Sequence, residues 1–436
     1  MTLTELIPLF LSHGCRSLYA KRLAENDNSK NQVYFGPGFD AVNLFPNKGI
    51  LPDAERGNFK AALEFFWLKT NGQINQAPRA QLILYPQYPE VRFSGFLQGC
   101  KEAPSELLNR RLAGRTLLLG VTSDGKTIGY VVQAHEVDPI VFERLAKERL
   151  GVFDELDMLE LAGQTDSRGQ LIAALRAVHL KEWIDSKQLN SQGVIGPCNA
   201  PQCGGFTLEA ELGVSKNSRA EPDYLGYEVK QHSVTSFNRP ESGSAITLMT
   251  PEPKLGFYAD KGVIEFIRRF GYADKNGRED RLNFGGIHKV GQMHPTTGLT
   301  LSLLGYNLAT EKIDDLQGSF ALLTKDGEVA AGWSFTEMMH HWTKKHAKAT
   351  YIPSMSRTEP TRQYSYGHTI RIAEQTDFLR LLAAFAKGDV YYDPGIKLEQ
   401  VSSAKPKEKR RSQFRIASKN IPSLYRTVDS VHLTNG

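Results

Sequence analysis

Two carboxylates and an ammonium group lie close together in the stretch Pro222-Asp223-Tyr224-Leu225-Gly226-Tyr227-Glu228-Val229-Lys230. Glu228 and Lys230 are two apart, so on a strand they share one face while Val229 turns to the other. Gly226 stands between Asp223 and that strand and permits a tight bend, which can carry Asp223 back beside Glu228. Paired carboxylates offer the oxygen ligands that Mg²⁺ prefers. An ammonium two residues beyond can orient a water or help to deprotonate it. Together they are equipment for attack on a phosphodiester, with a cation to stabilise added negative charge and a positioned water. Such a triplet also arises by chance on many exposed strands, so its setting has to be read with it.

That setting begins upstream, at Gly204-Gly205-Phe206-Thr207-Leu208-Glu209-Ala210-Glu211-Leu212-Gly213. The spacing predicts a short helix stopped by Gly213, a suitable C-terminal cap. Leu208 and Leu212 lie one turn apart and can pack, which leaves Glu209 pointing elsewhere as a third acid. Before this helix, Gln192 to Gly205 is rich in Gly, Pro and Asn and reads as a loop. After it, strands and helices alternate, the pattern of an α/β domain.

A chain of 436 residues is too long for one ordinary core and suggests two or three domains. Residues 1–138 read mainly as strands. Ala80 to Tyr85, Val91 to Phe96, Arg115 to Val121 and Thr127 to Gln133 are short apolar runs, and Asp124-Gly125 marks a hairpin between the last two. Leu3 to Leu11 and Phe59 to Leu68 are expected to be helices. From Ile140 to Leu161, and again from Gln170 to Leu189, apolar residues such as Leu171, Leu175, Val178 and Trp183 recur at helical spacing. The expected division is therefore 1–138 and 139–436, the second part opening with a helical region over 139–190.

The net charge is +5, and residues 401–436 hold eight Lys or Arg against two Asp or Glu. A basic stretch on a near-neutral body suits a polyanion at one place, and equally a solvated, frayed tail. Cys15, Cys100, Cys198 and Cys203 are too few and too scattered for a disulfide framework, and no second pair follows Cys198 and Cys203 to complete a zinc site. With no long apolar run and no basic leader at the start, the expectation is a cytosolic, reduced protein with no membrane partner.

Gly205-Phe206-Thr207-Leu208-Glu209, Leu212-Gly213, Asn217 and Glu221-Pro222-Asp223-Tyr224 through Glu228-Val229-Lys230 resemble the active-site region of the MvaI/BcnI restriction endonucleases. These belong to the PD-(D/E)xK nuclease superfamily, in which the mismatch-repair nickase MutH is a cousin. Ala245 to Thr250, Trp333 to Phe335 with the helix through Trp342, Ala349 to Ile352, Gly388 to Val390 and Phe414 to Ile416 extend the likeness over roughly residues 170–430. The resemblance implies an α/β restriction-endonuclease-like domain and a type II restriction enzyme acting on double-stranded DNA. It implies Mg²⁺ as cofactor, with Mn²⁺ able to substitute, and a prokaryotic cytoplasm. It further implies a DNA methyltransferase in the same system and a monomer that nicks each strand in turn. Carried over residue by residue, Asp223 and Glu228 bind the metal, Lys230 serves the water, and Glu209 is the helix acid.

The departure lies between Asp393 and Phe414, where the family carries base-reading residues. Here Lys405, Lys407, Lys409, Arg410 and Arg411, followed by Arg415, occupy that place. Arg or Lys donating to guanine suits a G·C-rich site, whereas contacts to phosphate alone position without specifying. His288 and Lys289, with His294, lie in a region that approaches DNA in the family. The run Glu337 to Trp342, with His346, contains histidines, but Met338, Met339 and Trp342 at helical spacing read as core.

Tyr19 to Asp27, Gln32, Gly36 and Leu44-Phe45-Pro46 resemble the amino-terminal effector domain of EcoRII, a mostly β, B3-like DNA-binding pseudobarrel. The combination is similar to the UbaLAI arrangement and makes Lys21, Arg22, Asn26, Asp27 and Arg92 candidates for DNA contact. It implies a type IIE enzyme with an allosteric DNA-binding domain, in which the region from Ile140 to Leu189 restrains the nuclease. A MutH-like nickase and a catalytically silent DNA-binding protein are the alternatives. The intact acidic set weighs against the second of these, and the added domain against the first.

Overall fold

Phe59, Ala61, Leu63, Phe65 and Trp67 are all buried, and the residues between them are not. That period of two belongs to strands. The segment accordingly forms the strands Asn58–Ala62 and Phe65–Leu68, not the helix expected over Phe59 to Leu68. The computed structural model describes residues 1–25, 27, 32–110, 112–158, 167–200, 202–215 and 222–434. The chain divides into two units, Met1–Asp166 and Ser167–Gly436.

The first unit begins with the helix Leu3–Ser12, which buries Leu3, Leu6, Ile7 and Phe10. The Glu5 carboxylate accepts the backbone N–H of Thr2 at 2.8 Å and so satisfies one of the donors at the helix start. Two sheets follow, one of seven strands and one of five. In the first, Thr116–Thr122 and Thr127–Val132 pair as the hairpin expected around Asp124-Gly125, with Gly125 at φ 89°. In the second, Gln81–Tyr85 pairs with Glu90–Ser94. Among the described residues the pairings leave both sheets open, with no closed barrel.

The boundary falls after Asp166, not near residue 138. Of the helix expected over Ile140 to Leu161, only Pro139–Leu145 forms within the described residues, and positions 159–161 lie outside them. Ala146–Leu150 and Phe153–Leu156 are strands. Phe153–Leu156 pairs with Cys15–Arg22, Leu156 opposite Leu18. Backbone hydrogen bonds thus bind residues 146–156 to the first sheet, and the proposed restraining region 140–189 is not one element.

In the second unit, the helix Ser167–His179 buries Leu171, Leu175 and Val178, as their spacing predicts. It stops at His179, and Ile184–Asp185 and Lys187–Leu189 are strands. The ten-residue strand Lys348–Arg357 organises the main sheet, pairing antiparallel with Gln363–Tyr366 and Thr369–Glu374 and parallel with Glu228–Ser233. Leu171, Leu175, Leu208, Leu212, Tyr227, Val229, Ile352 and Ile372 share one core. That core packs the helix Cys203–Glu211 against the sheet that contains the strand Glu228–Ser233. Cys198 and Cys203 are joined by a disulfide across the turn before this helix, against the expectation of reduced cysteines. The turn brings their Cα atoms to 5.8 Å, a proximity that sequence spacing alone does not reveal.

Candidate active site

The bend before the site strand is a two-residue hairpin turn. Tyr224 and Tyr227 exchange backbone hydrogen bonds at 3.0 and 2.9 Å, and the two residues between them, Leu225 and Gly226, have φ of 49° and 85°. Positive φ at both central positions is the mark of a type I′ turn. Glycine tolerates it freely, and leucine does not. The turn folds Asp223 back onto the strand, where its Oδ2 accepts the Val229 N–H at 3.0 Å.

Along Glu228–Ser233 the side chains then alternate. Val229 enters the core. The Glu228 side chain is 1% exposed, and its Oε1 receives Lys230 Nζ at 2.7 Å. A second ammonium, Lys345 Nζ, lies 3.5 Å from the same oxygen. Lys345 sits near the end of the helix Phe335–His346, and that helix runs into the strand that pairs with the site strand, with Ala349 opposite Glu228. Burial pushes the Glu228 carboxyl up, but Lys230, His346 and Lys345 together outweigh it and hold the group below its usual range.

Glu209 is presented by the helix Cys203–Glu211, whose end carries a Schellman motif. The Val214 N–H donates to the Glu209 carbonyl at 2.8 Å and Gly213 N–H to Ala210 at 3.2 Å, with Gly213 at φ 72°. Leu208 and Leu212 pack inward as expected. Burial, and next the charge of Asp223, raise Glu209 to about 7. Asp223 is raised by burial and then by the charge of Glu228. The three acids therefore share one electrostatic neighbourhood, and Lys230 and Lys345 are the cations facing all of them.

Whether these residues suit a divalent cation can be read from Glu228. Among the described residues its Oε2 is buried with no hydrogen-bond partner, and an unpaired buried carboxylate oxygen is costly unless something cationic meets it. Among the described residues no group of three or more His, Cys, Asp and Glu converges on one point. Two carboxylates nevertheless match Mg²⁺, which commonly keeps several waters beside one or two protein carboxylates. The residues present fit that ion.

The candidate DNA contacts fare unevenly. Lys405, Lys407, Lys409, Arg410 and Arg411 are exposed, on the strand Lys407–Lys409 and the segments on either side of it. That strand pairs with Gly395–Glu399, so the basic segment is built into a sheet and is not a frayed tail. Arg410 bonds Glu408 at 2.7 Å and Lys409 lies 3.5 Å from Glu399. Arg415 is instead occupied within the fold, by Asp393 at 2.7 Å and the Ala245 carbonyl at 2.6 Å. Its strand is held between two others, which turns its side chain onto neighbouring chain segments.

His288 is fully buried, bonded to the Gly286 carbonyl and to Thr297 Oγ1, and stacked on His294 at 4.4 Å between ring centroids. It cannot face DNA from there. Lys289 is half-buried. In the first unit, Lys21 is buried in an ion pair with Asp27 at 2.9 Å, which removes both from contact with an external polyanion. Arg22 is exposed, Arg92 is half-buried and bonded to Glu90 at 2.7 Å, and Asn26 lies outside the described residues, as do Asn217 and Glu221. Met338, Met339 and Trp342 are core, as their spacing predicts, and His346 is buried with Nε2 3.0 Å from the Leu248 carbonyl oxygen. Lys345, the residue that sequence reasoning missed, stands one position before it. Nothing in the local sequence distinguishes it from Lys344.

The sequence model of the MvaI/BcnI restriction endonuclease family matches residues 172–425. Among solved structures, restriction endonuclease MvaI in complex with cognate DNA is similar at 18% identity, over 61% of this chain and 99% of that one, with a TM-score of 0.46. MvaI without DNA is similar at 16% identity, over 62% and 98%, with a TM-score of 0.34. No curated protein sequence matches the chain.

Proposed function

Because the chain belongs to the MvaI/BcnI restriction endonuclease family, we propose that it is a Mg²⁺-dependent type II restriction endonuclease whose active site is formed by Asp223, Glu228, Lys230 and Glu209. The observation that carries this reading is the orphaned Oε2 of Glu228, with Lys230 on the other oxygen and Asp223 folded back beside it. Asp223 and Glu228 would hold Mg²⁺, with Mn²⁺ as a substitute. When bound, the cation supplies charge stabilisation to the phosphate under attack.

This chain's own residues do the rest. Lys230, one strand step beyond Glu228, would orient the attacking water by donating to its oxygen, and its positive charge would stabilise the hydroxide left when the water gives its proton to solvent. The water oxygen bonds to phosphorus as one phosphorus–oxygen bond of the backbone breaks. The type I′ turn fixes Asp223, so the carboxylates are in place before substrate arrives and do not have to reorganise during the reaction. Glu209, raised to about 7, can carry or release a proton near neutral pH. The exposed cations Lys405, Lys407, Lys409, Arg410 and Arg411 meet double-stranded DNA.

For the first unit we propose a B3-like DNA-binding effector role that makes the enzyme type IIE, with Arg22 its most accessible candidate contact. A monomer, a partner methyltransferase and a cytoplasmic location complete the proposal. The decisive test is plasmid cleavage with Mg²⁺, followed by run-off sequencing of the products. Asp223→Ala and Lys230→Ala should abolish cutting while duplex binding survives. A fully active Asp223→Ala protein refutes the assignment.

A further inference from the structure

Lys345 has no ion-pair partner other than Glu228 among the described residues. Its hold there is loose, at 3.5 Å, while Lys230 already occupies the same oxygen at 2.7 Å. Lys345 is also the more exposed of the two, at 30% against 21%. Yet its charge reaches Glu209, Asp223 and Glu228 alike. Lys345 is thus far more open to solvent than the carboxylate it faces.

Charge balance points the same way. Two ammoniums, Lys230 and Lys345, face three acids, of which Glu209 and Asp223 are raised by burial and by repulsion from a neighbouring acid. A divalent cation held by Asp223 and Glu228 would add to the positive charge that meets the single negative charge of one phosphodiester. Without Lys345 the site would offer a phosphate one positive charge fewer. A cation on Glu228 also competes with both lysines for that carboxylate, and the weaker, more exposed contact is the one to yield.

We infer that Lys345 is a substrate-binding residue of this site, releasing Glu228 to contact a non-bridging oxygen of the phosphodiester that is cut. Lysine suits this role as a compact point charge with three rotatable donors on a flexible stem. The inference rests on the catalytic reading above and extends it to a residue from a different helix.

The test separates a phosphate contact from a mere counter-ion. In a Glu228→Gln background with chelator present, binding of a duplex containing the mapped cleavage site is measured over a salt series, with and without Lys345→Met. A phosphate contact predicts weaker binding and a salt slope reduced by about one, with Lys345→Arg restoring the slope. In the otherwise native protein with Mg²⁺, Lys345→Met should slow single-turnover cleavage by about 100-fold or more, as loss of a transition-state donor does. Thermal unfolding checks each variant, and Lys345→Gln replaces Lys345→Met if the latter does not fold. An unchanged salt slope in the Glu228→Gln background means that Lys345 only neutralises Glu228 and overturns the inference. That result leaves the catalytic reading intact, whereas continued cutting by Asp223→Ala removes the catalytic reading itself.

Discussion

Among the described residues Glu228 meets two ammoniums on one oxygen and no hydrogen-bond partner on the other, and this asymmetry defines the site at the level of single residues. Elsewhere in the second unit, burial decides a residue's role against its chemistry. His288 could donate to DNA by type, but its position leaves it neutral and enclosed. Burial lowers its pKa from the usual 6.5 to about 4. Between those values the unfolded chain binds the proton and the folded chain does not. The stabilising contribution is therefore fully present above 6.5 and is lost as pH falls toward 4. Stability measured by denaturant titration across this window should fall less steeply for His288→Gln than for the parent, by up to one proton's worth of slope. Equal slopes would mean that other groups, such as the buried His346, carry the whole acid response.

At the scale of elements, the hairpin turn and the basic strand each make a separate claim. Leu225 holds φ 49° while being 40% exposed, so it bears the steric penalty of left-handed backbone with little burial in return. Leu225→Asn would place Asn-Gly, the preferred type I′ pair, at the tip. It should raise stability by about 1 kcal/mol in chemical denaturation. No gain would show that the leucine side chain has a packing role that outweighs its strain. The strand Lys407–Lys409 and the arginines after it form a rigid, exposed edge. Lys407→Ala and Lys409→Ala should each reduce the salt slope of DNA binding by about one on any sequence. Arg410→Ala or Arg411→Ala should cost about 1–3 kcal/mol at one G·C pair if either arginine reads guanine bidentately. Binding to cognate and single-mismatch duplexes over a salt series distinguishes the two behaviours, and no change in either would leave the strand without a role on DNA.

At the scale of the whole molecule, the sequence holds one Asp-x4-Glu-x-Lys set, in the second unit, and the proposed reading therefore gives one active site per protomer. If the first unit binds DNA as proposed, allostery becomes possible, provided that DNA on one unit alters the energetics at the other. Plasmids with two sites should then be cut faster than plasmids with one, and a short cognate duplex added in trans should accelerate one-site cleavage. Residues 167–436 made alone should still cut and should lose that stimulation. A cut at 139 is the wrong division, because it strips the first sheet of the strand Phe153–Leu156 and leaves that strand unpaired on the nuclease. Equal rates on one- and two-site plasmids, with no response to added duplex, would reduce the first unit to an affinity module.

What depends on neighbouring residues was legible along the chain. Asp223, Glu228 and Lys230 are brought to one place by strand periodicity and a glycine bend, and both act over a few residues. The Asp124-Gly125 hairpin and the buried face of Met338, Met339 and Trp342 were legible for the same reason. The segment Phe59 to Leu68 shows the limit of local pattern, because a short apolar run fits either period until its burial alternation is seen. Only the tertiary structure decided which charged groups are available. Lys21, His288 and Arg415 are cationic or basic by type, and each is withdrawn by a partner whose identity the local sequence does not contain. Lys345 is the converse case, an unremarkable helix lysine 117 residues from Glu228 along the chain. It joins the site because Glu228–Ser233 pairs in parallel with Lys348–Arg357, placing Ala349 opposite Glu228 and the end of the preceding helix above the carboxylate. Sheet register over that distance is fixed by packing of the whole core, so no local pattern could have announced it.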